Sequence, residues 1–195
     1  MGKNSLTPEE SFDIINKAIS NFKINYKENA RVFLLWGWIL TFASISNFVI
    51  LKISSNWELR GLFILGNWVV FCLTGFIILY FMVQKMKKEK RVFSHLDKFI
   101  DYLWWVAAAS FVFATIISFR MKIEPPMLML LIAGIATTTT GLVIKFRPLI
   151  IGGMSFFVFS IAATFVTNEY LALLVGAALI CGYLIPGYFL RSVKE

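Results

Sequence analysis

The sequence predicts an all-α, polytopic membrane protein: six transmembrane helices arranged as three antiparallel hairpins, preceded by a cytoplasmic amphipathic helix. Three observations predict it. Hydrophobic residues make up 58% of the 195-residue chain and charged residues only 15%, against about 45 to 50% and about 25% in soluble domains. The apolar residues gather into six runs without a single Asp, Glu, Lys, Arg or His, each close to the roughly 20 residues that a helix needs to cross bilayer hydrocarbon. The formal net charge of +8 is concentrated in the short segments between those runs, which marks topology and not a nucleic-acid surface.

Residues 1–31 form the amphipathic helix. Thr7-Pro8-Glu9-Glu10 starts it, with Thr7 as N-cap, Pro8 in the first helical position and Glu10 placed to close a capping box. Phe12, Ile15, Ile19, Phe22 and Tyr26 then recur three and four residues apart, on one stripe, while Asp13, Lys17, Lys23, Lys27 and Glu28 lie off it. The stripe needs a cover: the protein's own loops, the headgroup boundary of the bilayer, or a second protein chain.

The six-helix transmembrane domain occupies residues 32–190. Its first crossing is 32–51, and a short polar loop with Trp57, Glu58 and Arg60 leads to the second, 62–83. Residues 84–101 follow as a basic cytoplasmic loop carrying Lys85, Lys87, Lys88, Lys90, Arg91 and Lys98. In hydrocarbon each of these would cost about 2.5 to 3.5 kcal/mol, so the loop stays outside. Phe93, Leu96, Ile100 and Leu103 share a face, which extends an interfacial helix from near Arg91 into the third crossing, 102–119. Pro125-Pro126 closes the next loop and the fourth crossing is 127–144. Lys145-Phe146-Arg147-Pro148 makes a tight break before the fifth, 149–166, and the sixth is 170–190, with a cytoplasmic tail at 191–195. Ile185-Pro186-Gly187 should kink or end that last helix.

Charge sets the orientation. With six crossings, 15 Lys/Arg fall on the side of both termini and 4 on the other, which places both termini in the cytoplasm. The basic cluster Lys85, Lys87, Lys88, Lys90 and Arg91 either fixes this topology or attracts anionic headgroups at about 1 kcal/mol per charge.

The runs carry no ionisable residue at depth, the usual mark of proton coupling, intramembrane proteolysis or voltage sensing. His95, with Asp97 nearby, is far short of a metal or catalytic constellation, and the chain has no phosphate-binding glycine motif. Cys72 and Cys181 lie mid-run, where neither a disulfide nor a metal site is expected. No catalytic residue, cofactor or metal is therefore expected. Asn47 and Asn67 fall at similar depth in consecutive helices and are expected either to pair, at about 0.6 to 2 kcal/mol, or to line an outward vestibule. Ala133, Thr137, Thr140 and Gly141 form a strip of small residues, and Ala178 and Gly182 repeat the spacing, so close helix packing is expected at both. Thr137 to Thr140 cannot all line one pore, because successive helical residues are rotated by about 100°.

Several short motifs run the length of the chain: Leu6-Thr7-Pro8 with Ser11, Trp36-Gly37, Thr140-Gly141, Lys145-Phe146-Arg147-Pro148-Leu149 with Gly152-Gly153, and Ile185-Pro186-Gly187. With them the chain resembles a family of uncharacterised bacterial six-span integral membrane proteins of about this length. The resemblance implies a bacterial inner-membrane setting and supplies no reaction or substrate. Residue chemistry and resemblance together lead to the expectation of a non-enzymatic regulator, sensor or assembly factor. It would act through the amphipathic helix and basic loop on the lipid bilayer, a protein partner or a second copy, with no nucleic-acid role. The alternative is a passive channel or carrier for a neutral or apolar solute, using Asn47, Asn67 and the threonines.

Overall fold

The computed structural model describes residues 8–54, 59–88, 95–166 and 169–192, with side chains at 30–54, 59–85, 96, 98–166 and 169–192. Among these residues the fold is all-helical: α1 (Pro8–Ile53), α2 (Arg60–Lys88), α3 (His95–Met121), α4 (Pro125–Val143), α5 (Arg147–Ala162) and α6 (Tyr170–Leu179). A π-helical turn (Ile180–Leu184) then joins α6 to α7 (Ile185–Ser192). Five helical stretches are long and apolar enough to cross a membrane: Ala30–Ile53, Arg60–Lys85, Lys98–Met121, Pro125–Val143 and Tyr170–Ser192.

Three boundaries differ from the sequence reading. The helix expected over 1–31 and the apolar run 32–51 are joined in one unbroken helix of 46 residues, Pro8–Ile53, since nothing between Glu28 and Val32 breaks a helix: Asn29, Ala30 and Arg31 all tolerate one. Residues 84–88, assigned to the basic loop, continue α2, and α3 begins at His95. Lysines suit a helix C-terminus, where they face the negative end of the dipole, so the charged run prolongs α2 beyond its apolar part. Lastly, the run 149–166 is helical only as Arg147–Ala162. Its 16 residues rise about 24 Å, short of the hydrocarbon thickness of about 30 Å. Ala163, Thr164 and Phe165 form tight turns, with Thr164 N–H donating to the Ile161 carbonyl and Phe165 N–H to that of Ala162, both at 3.0 Å.

Packing follows small residues. A Cβ added to Gly141 would lie 2.7 Å from Ile150 N, one on Gly153 would lie 2.5 Å from Thr138 N, and one on Gly134 would lie 3.2 Å from Phe156 Cβ. Residue numbers fall on α5 as they rise on α4, so these two helices lie against each other, backbone close to backbone, in opposite senses. The turn between them ends α4 with Lys145 at φ 54°. Phe146 N–H donates to the Gly141 carbonyl at 2.9 Å and Lys145 N–H to that of Leu142 at 3.2 Å, the bond pattern of a Schellman cap with lysine where glycine is usual. On the other side α1 packs along α6, the π turn and α7: Gly187 sits against Leu34, Gly37 against Leu184, and Gly176 against Ser44. Helix α2 packs on α1, and α3 on α4.

Several hydroxyls in the apolar helices are satisfied within their own helix. Thr74, Ser110, Thr115 and Thr140 each donate to the carbonyl four residues back, as helices in hydrocarbon require. Ser44 Oγ instead donates to the Ala172 carbonyl on α6, and Ser160 Oγ to that of Met127 on α4.

Gly153→Ala should therefore force α4 and α5 apart and lower the unfolding free energy in detergent by about 1 to 3 kcal/mol, the usual cost of overpacking. Gly61→Ala, in open space on α2, should be neutral or slightly stabilising. Parallel thermal melts of the two variants read the difference.

Candidate functional site

The centre of the fold is built on a proline. In a regular helix, Pro186 would leave the Gly182 carbonyl without its donor and push its ring against it. The chain avoids this by widening one turn earlier: Ile180–Leu184 is π-helical and the Ile185 N–H donates to the Ile180 carbonyl. This is how the Ile185-Pro186-Gly187 break is realised, with helix resuming to Ser192. The displaced carbonyls of Cys181 and Gly182 then lie over Gly152 of α5. A Cβ there would meet Pro186 Cγ at 2.8 Å, the Gly182 oxygen at 3.0 Å and the Cys181 oxygen at 3.2 Å.

The π turn also aims Tyr183 inward. Tyr183 is 4% exposed, and its ring lies edge-on to Phe156 of α5 at 4.9 Å between centroids. Phe33 of α1 lies at 5.9 Å and Trp104 of α3 at 6.4 Å. Phe33 and Trp104 also meet edge to face at 6.0 Å. Thr137 of α4 borders the Tyr183 hydroxyl. One side chain thus touches parts of α1, α3, α4 and α5. Gly182 is the companion requirement, because a Cβ on it would overlap the Phe156 ring.

The surrounding chemistry is neutral. Thr41, Thr138 and Ser118 present buried hydroxyl oxygens without a hydrogen-bond partner, as does Asn47 Oδ1. Cys72 and Cys181 are free thiols, and among the described residues no three His, Cys, Asp or Glu gather as metal ligands. The arrangement can couple helices through packing.

The residues singled out from the sequence fall as follows. Asn47 and Asn67 lie on facing stretches of α1 and α2, but the Asn67 amide donates to the Ala43 carbonyl at 2.9 Å, one turn before Asn47, whose Oδ1 stays unpartnered. A helical carbonyl keeps a second lone pair beside its intrahelical bond and can accept there. Asn67 also lines a shallow apolar groove of about 350 Å³ with Ile50, Leu62, Phe63, Gly66, Val70 and Phe71. Ala133, Thr137, Thr140 and Gly141 are buried on α4, and Ala178 and Gly182 are buried in α6 and the π turn. Lys85 is exposed at the end of α2, and Lys87 and Lys88 continue that helix. Lys90 and Arg91 lie outside the described residues, as do the side chains of Lys87, Lys88, Phe12, Ile15, Ile19 and Phe22. Tyr183 was not singled out from the sequence, although its place between Gly182 and Pro186 in a charge-free run was the available signal.

No protein-family model, curated protein or solved structure matches the chain. The fold therefore defines the class by its own features: a helical protein with five helices long and apolar enough to cross a membrane.

Tyr183→Ala should empty the aromatic centre and reduce stability by about 3 to 5 kcal/mol, as for other buried aromatic truncations. Tyr183→Phe keeps the ring and should stay within about 1 kcal/mol of the parent. Melts of both variants in one detergent check the pair.

Proposed function

We propose that this is a non-enzymatic, six-crossing protein of the bacterial inner membrane with both termini in the cytoplasm. In this reading it is a regulator, sensor or assembly factor that passes contacts made outside the bilayer to the helices within it. The observation that carries the proposal is the continuity of α1. Of its 46 residues, Ala30–Ile53 are the membrane part, and the remaining 22 prolong the same rod by about 33 Å. The membrane part packs on α2, α6, the π turn and α7. A force that tilts or draws on the outer part reaches all of these through one stiff element. The stripe Phe12, Ile15, Ile19 and Phe22 is the contact surface in this reading, for a protein partner, a second copy or the bilayer surface, and the basic cluster around Lys85 to Arg91 adds attraction to anionic lipids.

Support for α5 as a sixth crossing, and for three antiparallel hairpins, comes from its course beside α4. Contacts run from Met127 with Ser160 at one end to Gly141 with Ile150 at the other. The helix accompanies α4 over most of its length, and the turn at Ala163–Phe165 would complete the span. Six crossings put both termini on the side holding 15 of the 19 Lys/Arg, which is the cytoplasmic side by the positive-inside rule.

The chain lacking residues 1–28 should insert and melt like the whole protein, yet fail to restore the trait lost in cells without it. Asn29→Pro, which breaks the rod at its exit from the bundle, should fail in the same way although both halves remain. Restoration by either variant would overturn the coupling role.

Reconstituted vesicles give an independent check. Uptake of water, glycerol and urea should match that of empty liposomes, and faster uptake would favour a passive channel.

A further inference from the structure

The lipid-facing rim of the α1–α7 seam carries polar groups ordered by depth. Leu34 and Gly187 mark where the two helices touch. Counting outward from that contact, Arg31 lies three residues away on α1 and Arg191 four residues away on α7, about 4.5 and 6 Å along the helices. Both arginines are exposed. Deeper in the same rim, Trp38 Nε1 donates to the Tyr188 hydroxyl oxygen at 3.1 Å. Trp38 stacks on Phe42, with ring centroids 5.5 Å apart. At 100° per residue, Arg31, Trp38 and Phe42 share one face of α1, and Tyr188 and Arg191 share the corresponding face of α7. Tyr188 accepts from Trp38, so its own proton remains available to a further acceptor.

We infer that this rim binds one anionic phospholipid from the surrounding leaflet. Arg31 and Arg191 converge on the phosphate, which guanidinium groups bind through paired N–H donors. One layer deeper the Tyr188 hydroxyl donates to a glycerol-ester carbonyl, and Phe42 and the Trp38 ring lie along the first part of the acyl chain. Trp and Tyr are suited to that depth, having an apolar ring and a polar tip. The site differs from the cluster at Lys85 to Arg91, which offers charge without an ordered set of deeper partners. The inference rests on α1 and α7 reaching a bilayer face together, and not on the coupling role proposed for the N-terminal rod.

The test is native mass spectrometry of the whole chain in mild detergent, titrated with phosphatidylglycerol or phosphatidylcholine of matched chains. One phosphatidylglycerol should be retained, with a preference of about tenfold or more over phosphatidylcholine, and the R31Q/R191Q double variant should lose that preference. K145Q/R147Q removes the same charge from the same end of the bundle but away from this seam, and should leave binding within about twofold. Tyr188→Phe should weaken the ester lipid several-fold and leave the ether-linked analogue, which lacks the carbonyl, unchanged. Equal retention of the two lipids, equal loss in both double variants, or the same Tyr188→Phe effect on ester and ether lipids would overturn the site. Displacement by millimolar inorganic phosphate would likewise overturn it, assigning the arginines to a soluble anion. None of these outcomes alters the truncation result, so failure here is distinct from failure of the coupling role.

Discussion

Backbone contact at missing side chains is the constraint on which the rest of this structure depends. Between helices in lipid there is no hydrophobic gain to be had, because hydrocarbon is as good a neighbour as leucine. What remains is close packing, and it requires positions where two helices can come nearly into main-chain contact. Gly153 against Thr138, Gly141 against Ile150 and Gly152 beneath Pro186 provide them. These contacts join α4, α5 and α7 into one block. The π turn belongs to the same block, because its displaced carbonyls can be accommodated only where α5 has no Cβ. Tyr183 is positioned by that turn, so the aromatic centre is a consequence of the glycine seam and not a separate feature.

Helix α1 is held on that block by two kinds of contact. Toward one end, Phe33 enters the aromatic group around Tyr183, and Leu34 meets Gly187. Toward the other, Ser44 donates to the Ala172 carbonyl on α6, which leads into the π turn, while Ala43 accepts from Asn67 and so ties α2 to α1. A hydrogen bond between helices is directional and resists sliding, whereas an edge-on aromatic contact survives small changes of tilt. The unpartnered oxygens of Thr41 and Asn47 lie on α1 on either side of the Ala43–Ser44 pair. A buried polar atom without a partner costs on the order of 1 to 3 kcal/mol, a cost that Thr138 also carries at the glycine seam.

The sequence was most legible where one physical quantity decides the outcome. Charge avoidance in hydrocarbon located the apolar helices, while the close approaches to α5 fall at Gly134, Thr138 and Gly141, of which the strip Ala133, Thr137, Thr140 and Gly141 contains one. Helix ends were less legible. Nothing in Ala162-Ala163-Thr164-Phe165 distinguishes helix from turn by hydropathy, and Lys145 adopts a left-handed conformation usually read from glycine. Lysines 85, 87 and 88 read as loop because hydropathy reports solvent, while helix propensity lets α2 run on into water. Asn47 and Asn67 were expected to pair, but Asn67 donates to the Ala43 carbonyl and Asn47 Oδ1 has no partner. The nearby Ala43 carbonyl, present on any helix and carried by no particular residue type, took the bond.

Proline at position 186 ties these observations to motion. A π turn is one insertion away from a regular α-helix, and its retention depends on Pro186 being unable to donate and on Gly152 receiving the freed carbonyls. Any tilt of α1 acts on this element directly, since Gly37 contacts Leu184 and Phe33 contacts Tyr183 on the same turn. Helix α1 packs on the π turn and on the segments before and after it. In the coupling role proposed for α1, an input at its N-terminal end would meet this π turn, the least regular part of the described helices, through Phe33 and Gly37.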